Sequence, residues 1–318
     1  MIRALAITGP TASGKTALSL AVSRELDCEI ISCDSMQIYR GMDIGTAKAT
    51  EEEQAQVKHH LIDILTPLER YSAEDYRLDA LRVAGDITAR GRLPLFVGGT
   101  GLYIDTLMRG AQISPPSDPE LRSRLEEEGR ADPVALWERL NAVDPDCAAV
   151  VHANNLRRVV RAIEIYELTG KTKTHFDSLT REAPKDISIR MITLDFHDRE
   201  NLYRRVDERV GLMLREGLEA EVRALCGSGM LAPELTASQA IGYKEMAGYL
   251  RGECSLGEAA EAIKLASRRY AKRQLTWFRH NTDAVRIFVD REDGCIKDKN
   301  ALADEVVGAA RELISSPV

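Results

Sequence analysis

The first hundred residues alternate short apolar runs with amphipathic stretches. Four apolar runs have the length and composition of buried parallel strands: residues 3–8, 29–33, 59–64 and 93–97. Helical patterns separate them; one opens at Ser72, with Asp75 as the partner in an imperfect capping box, and runs to about Arg90. Strands that alternate with helices imply right-handed crossovers. The pattern therefore predicts an α/β fold with a mostly parallel sheet flanked by helices.

The pattern changes after Gly110. Residues 115–119 (PPSDP) are typical of a loop, and the stretch 120–169 is helical throughout. Asp-Pro pairs at 132–133 and 144–145 interrupt that stretch and divide it into shorter helices. This part of the chain contains no strand pattern, which indicates a separate all-helical lobe.

Strand character returns over residues 187–196 (ISIRMITLDF), and helical patterns fill most of the chain beyond it. We therefore expect an α/β core with C-terminal helices, formed by residues 1–114 and 186–318, and an inserted helical lobe, formed by residues 115–185. A chain of 318 residues that is 44% hydrophobic can bury a core of this size.

Charge and cysteine usage narrow the class of protein. The formal net charge of −7 argues against a surface wholly coated for nucleic acid, but it leaves room for a local basic groove. The six cysteines form no CxxC pair, which favours a reducing cytoplasm over a disulfide framework or a zinc site. The apolar run at the N-terminus is too short to span a bilayer. We expect a cytoplasmic protein with no membrane contact.

Residues 9–16 read GPTASGKT, which satisfies the pattern G-x-x-x-x-G-K-[ST] between a predicted strand and a predicted helix. Glycines let backbone N–H groups converge on phosphate oxygens, and the helix N-terminus adds the positive end of its dipole. Lys15 supplies a positive charge, and Thr16 supplies a hydroxyl able to ligate Mg²⁺. We expect the whole loop to bind phosphate: Gly9, Pro10, Thr11, Ala12, Ser13, Gly14, Lys15 and Thr16.

The position of the acidic residues bears on which phosphate compound is bound. A user of nucleoside triphosphates usually places an acid at the end of another core strand to hold Mg²⁺. Here the strand LPLFV runs into Gly98-Gly99-Thr100-Gly101, whereas the acid, Asp34, follows the second strand. The residues therefore predict a P-loop NTPase-like core that transfers a group to a second substrate near Asp34. They do not identify the group, and a small-metabolite kinase remains an alternative.

Seven segments resemble the tRNA dimethylallyltransferases (isopentenyl-tRNA transferases), occur in the family's order and cover almost the whole chain. They are GPTASGKT (9–16), DSMQIYRGMDIGTAK (34–48), HHLID (59–63), GGTGLYI (98–104), NNLRRVVRAIEIYELTG (154–170), QAIGYKE (239–245) and KRQLTWFR (272–279). Cys33 stands where the family pattern leads us to expect a small residue such as alanine. Because the zinc-finger extension of eukaryotic members is missing, the chain resembles the bacterial type.

This resemblance implies an activity. The loop would hold the diphosphate of dimethylallyl diphosphate, with Mg²⁺ bound in part by Thr16, and the acceptor would be N6 of the adenine 3′ of the anticodon in tRNAs that read codons beginning with U. Asp34 would accept the amine proton as general base. Lys15 and Thr16 would stabilise the leaving diphosphate, and Thr100 would contact the leaving group or the acceptor. The adenine has to be extruded from the anticodon loop to reach Asp34.

Basic clusters with an interleaved aromatic suit RNA binding. Taken alone, such charge runs are more often solvated helix faces, but here they fall where the family contacts tRNA, in the helical lobe and near the C-terminus. The residues that we expect to contact tRNA are Asp34, Ser35, Met36, Gln37, Thr100, Arg122, Arg158, Val159, Val160, Arg161, Gln239, Ile241, Gly242, Tyr243, Lys244, Lys272, Arg273, Gln274, Trp277 and Arg279. We expect no obligate protein partner and a monomer.

Other candidate residues receive less specific interpretations. Arg204, Arg205 and Arg209 form a third basic cluster, which we interpret as a salt-bridged surface because acidic residues interrupt it. Three tyrosines could line a prenyl pocket or belong to the core: Tyr39, Tyr71 and Tyr76. A non-catalytic RNA-binding protein is the third functional class, and the intact loop lysine and Asp34 argue against it.

Overall fold

A six-stranded parallel sheet forms the centre of the larger of two units. In the computed structural model, which describes residues 1–109, 117–182 and 186–315, the strand order is β3-β2-β4-β1-β5-β6. The strands are β1 (Ile2–Thr8), β2 (Cys28–Ser32), β3 (His59–His60), β4 (Leu93–Gly98), β5 (Ile187–Asp195) and β6 (Val285–Phe288). All neighbouring strands pair in parallel, as the alternation of elements predicts.

The register brings the carboxyl ends of the central strands to one edge. Thr8 of β1 pairs with Gly98 of β4 and with Thr193 of β5, and Ser32 of β2 pairs with Val97. The loops that follow these strands therefore emerge side by side, at the edge where ligands bind in open α/β sheets.

Helices cover both faces of the sheet. Those of the N-terminal part of the chain are α1 (Lys15–Leu26), α2 (Glu51–Gln56), α3 (Ala73–Ala89) and α4 (Gly101–Arg109). Burial on both faces explains why residues 4–7 of β1 are all apolar. Leu5 and Ile7 pack into one core cluster with α1, whereas Ala4 and Ala6 pack into a second cluster with α3. The capping box at Ser72 and Asp75 is confirmed: each residue bonds to the backbone N–H of the other.

The smaller unit spans Arg109–Lys185 and is helical wherever the structure describes it. Its helices are α5 (Pro119–Ala131), α6 (Pro133–Val143), α7 (Pro145–Val150), α8 (Leu156–Thr169) and α9 (Lys173–Glu182). Asp118, Asp132 and Asp144 each cap a helix whose first residue is proline. The predicted boundary between residues 114 and 115 lies outside the described residues.

The C-terminal part of the chain returns to the larger unit. It contributes α10 (Arg199–Glu216), α11 (Leu218–Gly227), α12 (Tyr243–Leu250), α13 (Leu256–Arg279) and α14 (Lys299–Ser315). The sequence interpretation missed β6, because its four residues, VRIF, are too few to establish a period against the long helices on either side. None of the described helices combines the length and apolarity that crossing a bilayer requires.

A buried carboxylate organises the helical unit. Glu164 of α8 is fully buried and accepts hydrogen bonds from the Asp118 N–H (3.0 Å), from Arg122 (2.8 Å) and from Arg161 (2.7 Å). Burial acts to raise the pKa of Glu164, but the hydrogen bonds from the two arginines outweigh it and lower the pKa. Two arginines that we expected to contact tRNA thus share one carboxylate.

Removing this carboxylate is expected to destabilise the helical unit selectively. Glu164→Ala removes the buried carboxylate that accepts from two arginines and a backbone N–H, and should cost about 3–5 kcal/mol of unfolding free energy. The chain has two tryptophans, and Trp137 lies in this unit, so urea unfolding followed by fluorescence in a Trp277→Phe background reports on it. Glu126→Ala, which breaks an exposed pair with Arg130, is the control and should cost less than about 1 kcal/mol. Equal effects of the two variants would contradict this account.

Candidate active site

The loop between β1 and α1 has the backbone conformation that a phosphate cradle requires. Gly9 and Gly14 have φ of 143° and 93°, values that side chains rarely adopt. A Cβ at Gly9 would also lie 2.9 Å from the Cβ and the carbonyl oxygen of Leu194 on β5. The glycines therefore permit both the turn and its close contact with the sheet, and several residues of the loop line the cavity described below.

Lys15 is half-buried against this loop and forms no salt bridge with any acidic side chain in the described part of the chain. Its Nζ donates to the carbonyls of Gly9 (3.0 Å) and Pro10 (2.7 Å). Burial, and to a smaller extent the positive charge of Arg209, lower the pKa of Lys15 to about 7, while the negative charge of Asp34 opposes the shift. A positive charge held in this way is stabilised when an anion binds next to it.

Arg205 and Arg209 of α10 face the loop, which contradicts our interpretation of their cluster as a salt-bridged surface. Arg205 Nε donates to the carbonyl of Ala12 (2.8 Å). Arg209 lines the cavity, and its Nε has no hydrogen-bond partner among the described residues. The acid that seemed to compensate them, Asp207, lies on another face of the helix and pairs with Arg268 at 2.6 Å. On a helix, side chains four positions apart, such as Arg205 and Arg209, share a face, whereas an acid two positions from each, such as Asp207, points elsewhere.

Asp34 and Thr100 lie next to each other at the ends of β2 and β4. Asp34 Oδ1 accepts from the N–H groups of Met36 (2.9 Å) and Gln37 (3.4 Å), and no described group donates to its second oxygen. Thr100 accepts from the Ser35 N–H (3.2 Å) and donates its own N–H to the carbonyl of Cys33 (3.1 Å). One carboxylate oxygen is thus fixed by the backbone, and the other is available to a substrate.

These groups border one cavity of about 590 Å³, within the range of small-molecule sites. The loop contributes Thr11, Lys15 and Thr16 to its lining, and Asp34 and Arg209 line the same cavity. Of the residues expected to contact tRNA, those that line the cavity are Asp34, Ser35, Met36, Gln37, Gln239, Ile241, Arg273 and Gln274. Thr100 is not a lining residue, but its side chain forms a hydrogen bond with Tyr270, which is one.

Gln274 has a structural position that the sequence did not suggest. We expected it to contact tRNA, but it is buried at 6% exposure. Its Oε1 accepts from the Thr11 N–H (2.8 Å), and its Nε2 donates to the carbonyl of Gly99 (2.9 Å). Gln274 therefore joins the phosphate loop to the turn that carries Thr100, and the amide has no exposed edge to offer an RNA base.

Tyr270 was not identified from the sequence. Burial raises the pKa of its phenol to about 12, although hydrogen bonds with Thr100 and Gln274 act in the opposite direction. The guanidinium of Arg273 lies 5.5 Å from the centre of its ring, within cation–π range. The helical period along α13, which aligns Ile263, Ser267, Tyr270 and Gln274, is the signal that could have placed it in the site.

Several residues expected to contact tRNA are occupied elsewhere. Tyr243 is fully buried and donates to Glu221 at 2.5 Å, and Val159 and Val160 belong to the core of the helical unit. Arg279 forms a bidentate pair with the buried Asp195, at 2.9 and 2.7 Å. The buried side chains of Tyr243, Val159 and Val160 therefore have structural roles, whereas Arg279, whose side chain is 36% exposed, stays a predicted tRNA contact. The exposed members of the set are Arg158, Gln239, Lys244, Lys272, Arg273 and Trp277.

Glu221 fixes a second wall of the cavity. Its carboxylate accepts from three successive N–H groups, those of Asp43 (3.0 Å), Ile44 (2.8 Å) and Gly45 (3.1 Å), in addition to the phenol of Tyr243. Gly45 itself lines the cavity, and a Cβ there would collide with the Tyr243 ring. The backbone after Asp34 is thus held by an acid that lies more than 170 positions further along the chain.

Tyr39, Tyr71 and Tyr76, which could line a prenyl pocket or belong to the core, do not line the cavity. Tyr39 and Tyr76 are buried at 1% and 0% exposure. Tyr76 stacks on Tyr103, with ring centroids 3.9 Å apart, and its hydroxyl lies 2.7 Å from Cys33 Sγ. Tyr71 packs against the same core cluster. Of the two alternatives, core packing is therefore the correct one.

A magnesium ion fits the donor set only as a metal carried by the substrate. Within the described ranges, no group of three or more His, Cys, Asp or Glu side chains could enclose a metal ion. Thr16, however, presents its side chain to the cavity beside Lys15. Mg²⁺ commonly takes one or two protein oxygens and completes its shell with phosphate oxygens and water, and the Thr16 hydroxyl suits that arrangement.

Comparisons with known proteins agree with the motifs. The IPP transferase family model matches residues 37–281, and the isopentenyl transferase model matches residues 2–67. A tRNA dimethylallyltransferase of Geobacter sulfurreducens is 47% identical over 274 residues, covering 86% of this chain and 88% of that protein. One from Heliobacterium modesticaldum is 44% identical over 291 residues, covering 90% of each chain.

Solved structures lead to the same family. A full-length tRNA isopentenylpyrophosphate transferase from Bacillus halodurans has 40% identity and a TM-score of 0.71, covering 99% of this chain and 97% of that one. A eukaryotic dimethylallyltransferase acting on tRNA has 27% identity and a TM-score of 0.81, covering 100% of this chain and 81% of that one. The expected α/β fold and the resemblance carried by the seven motifs are both confirmed. The chain belongs to the IPP transferase family, the prenyl-transferring tRNA dimethylallyltransferases.

Proposed function

We propose that this protein transfers a dimethylallyl group from dimethylallyl diphosphate to N6 of the adenine 3′ of the anticodon, in tRNAs that read codons beginning with U. The products are N6-dimethylallyladenosine and diphosphate. The proposal is carried by the residues that line the cavity: the phosphate loop, two partly buried cations, Lys15 and Arg209, and the Asp34 carboxylate with one oxygen available. The names of the relatives supply the substrates. A cytoplasmic location remains a prediction from the sequence.

Lys15 and Arg209 lie near the position where negative charge would develop on the leaving diphosphate. As the bond between the allylic carbon and the diphosphate oxygen breaks, the electron pair leaves with the diphosphate. The loop N–H groups, Lys15 and Arg209 stabilise this charge, and they are oriented before the reaction begins. Mg²⁺, held by the Thr16 hydroxyl and phosphate oxygens, would neutralise part of the same charge when bound.

Asp34 acts on the acceptor. An exocyclic aromatic amine is a weak nucleophile and must lose a proton as its nitrogen bonds to the allylic carbon. The Asp34 oxygen without a protein donor accepts that proton, while the backbone bonds from Met36 and Gln37 hold the carboxylate in place. Thr100 and Tyr270 lie on the same side and limit where the base can sit.

The direct test is incubation of the full chain with a tRNA transcript, Mg²⁺ and labelled dimethylallyl diphosphate, followed by nuclease mapping of the labelled nucleotide. We expect label on the adenine 3′ of the anticodon and none when a guanine replaces it. γ-Labelled ATP in place of the prenyl donor is the control. Phosphoryl transfer from ATP that needs no RNA would instead identify a small-metabolite kinase.

Asp34→Asn should lower the rate of transfer roughly 10²–10⁴-fold, because the amide keeps its hydrogen bonds but cannot accept the amine proton. Binding of tRNA, measured by filter retention, should change little. Asp43→Asn, in the same segment but with a side chain that is 59% exposed, is the matched control and should retain activity. Near-normal turnover by Asp34→Asn would remove Asp34 as the base.

Binding of the donor should be coupled to proton uptake by Lys15. The free-site pKa of about 7 leaves Lys15 mostly neutral at pH 8, and an adjacent diphosphate raises that pKa, so up to about one proton should be taken up per donor bound. Affinity should accordingly fall as the pH rises above 7. Calorimetry of unreactive dimethylallyl thiolodiphosphate binding to the enzyme–tRNA complex, in buffers of different protonation enthalpy, measures this uptake.

Lys15→Gln should abolish the proton uptake, whereas Lys58→Gln, at an exposed lysine, should preserve it. The same uptake in Lys15→Gln as in the unaltered protein would assign the titration to another group.

A further inference from the structure

The carboxylate of Asp34 is oriented by the backbone of Gln37 as well as by that of Met36. The Gln37 N–H donates to Asp34 Oδ1 at 3.4 Å, beside the bond from the Met36 N–H at 2.9 Å. The position of the Gln37 backbone therefore helps to decide where the second oxygen of Asp34 points. A residue that fixes Gln37 acts indirectly on the proposed general base.

The side chain of Gln37 is held within the chain by three hydrogen bonds. Its Nε2 donates to the carbonyls of Thr46 (3.2 Å) and Ala47 (3.3 Å), and its Oε1 accepts from the Ser32 hydroxyl (3.1 Å). Both hydrogens of the amide thus have acceptors inside the protein. Because β2 ends at Ser32, Gln37 connects the edge of the sheet to the backbone of residues 46–47.

The two carbonyls that Gln37 contacts belong to a tight turn at residues 43–47. Ala47 has a φ of 44°, in the left-handed region that a residue with a side chain rarely adopts. Its N–H donates to the carbonyl of Ile44 at 3.0 Å. A strained backbone of this kind persists where the surrounding contacts fix it. The turn therefore depends on a support from outside the segment.

Glu221 of α11 gives that support. Its Oε2 accepts from the N–H groups of Asp43 and Ile44, and its Oε1 accepts from the N–H of Gly45. The phenol of Tyr243 donates to the same Oε1. Hydrogen bonds to a charged acceptor are roughly twice as strong as neutral ones, and three from consecutive residues fix the backbone of the turn.

We infer that Glu221 is a positioning residue for the transfer. By holding the 43–47 turn it holds the side chain of Gln37, and through Gln37 it orients the Asp34 carboxylate toward the acceptor amine. The inference rests on the proposed function and adds to it a residue that is outside the lining of the cavity. Proton transfer requires a precise geometry, so a displaced carboxylate slows the reaction more than it weakens binding.

The test measures the maximal single-turnover rate of dimethylallyl transfer, and the tRNA and donor concentrations that give half of it. Glu221→Gln keeps the size of the side chain but replaces one acceptor oxygen with an NH₂ group, so the turn loses part of its support. The maximal rate should fall at least about tenfold, while the half-saturating concentrations change less than about threefold. Glu219→Gln makes the same change on the same helix, where the acid pairs with an exposed arginine, Arg223, and should keep the rate.

A double-variant cycle separates positioning from a general loosening of the fold. Once Asp34→Asn has removed the base, no carboxylate remains to be oriented, so adding Glu221→Gln should lower the residual rate less than about twofold. Gln37→Met keeps the volume of the side chain but removes its three hydrogen bonds, and should slow transfer as Glu221→Gln does. Glu221→Gln combined with Gln37→Met should cost less than the product of the two separate factors.

The outcomes separate this inference from the proposed function. If the unaltered protein transfers no dimethylallyl group, the proposed function fails and the inference falls with it. If it does, an unchanged rate in Glu221→Gln, or an equal loss with and without Asp34→Asn, overturns the inference alone. A rise in the half-saturating tRNA concentration at an unchanged maximal rate would also overturn it, because the turn would then serve RNA binding. Should Glu221→Gln fail to fold, Gln37→Met decides by the same comparison in the Asp34→Asn background.

Discussion

Two partly buried cationic side chains at the carboxyl edge of the sheet are the constraint on which the site depends. Lys15 and Arg209 repel each other, and burial disfavours the charge on both. A protein retains such an arrangement at a cost in stability, since buried charges without partners are unfavourable. The binding of a diphosphate removes that cost by supplying the missing anion. Asp34, on the far side of the same cavity, supplies only part of the compensation and keeps one oxygen for the acceptor.

The rest of the fold holds these charges in place. The parallel register brings the phosphate loop, Asp34 and the turn at Thr100 to one edge. Gln274 then links the loop to that turn, and Glu221 fixes the segment that follows Asp34. Both clamps come from the C-terminal helices, and both are hydrogen bonds to backbone groups. The donor and acceptor sides of the cavity are thus positioned by residues that are distant in sequence.

The sequence predicted what depends on local patterns. The strand–loop–helix context identified Gly9–Thr16, and the Asp-Pro pairs marked the ends of helices because each pair both caps and starts a helix. It failed where tertiary packing decides. Arg205 and Arg209 resembled a surface cluster, but α10 turns them toward the loop, and the Tyr243 side chain resembled an RNA contact although it is buried and bound to Glu221. A partner distant in sequence leaves no local signal, so the buried polar network could not be predicted.

The most direct test of the account is a structure of the protein with tRNA and unreactive dimethylallyl thiolodiphosphate. The account predicts that Lys15 Nζ exchanges the carbonyls of Gly9 and Pro10 for the diphosphate, that Arg209 Nε gains a phosphate partner, and that the free oxygen of Asp34 lies within hydrogen-bonding distance of N6 of an everted adenine. A diphosphate bound away from the loop, or an Asp34 remote from that adenine, would contradict it.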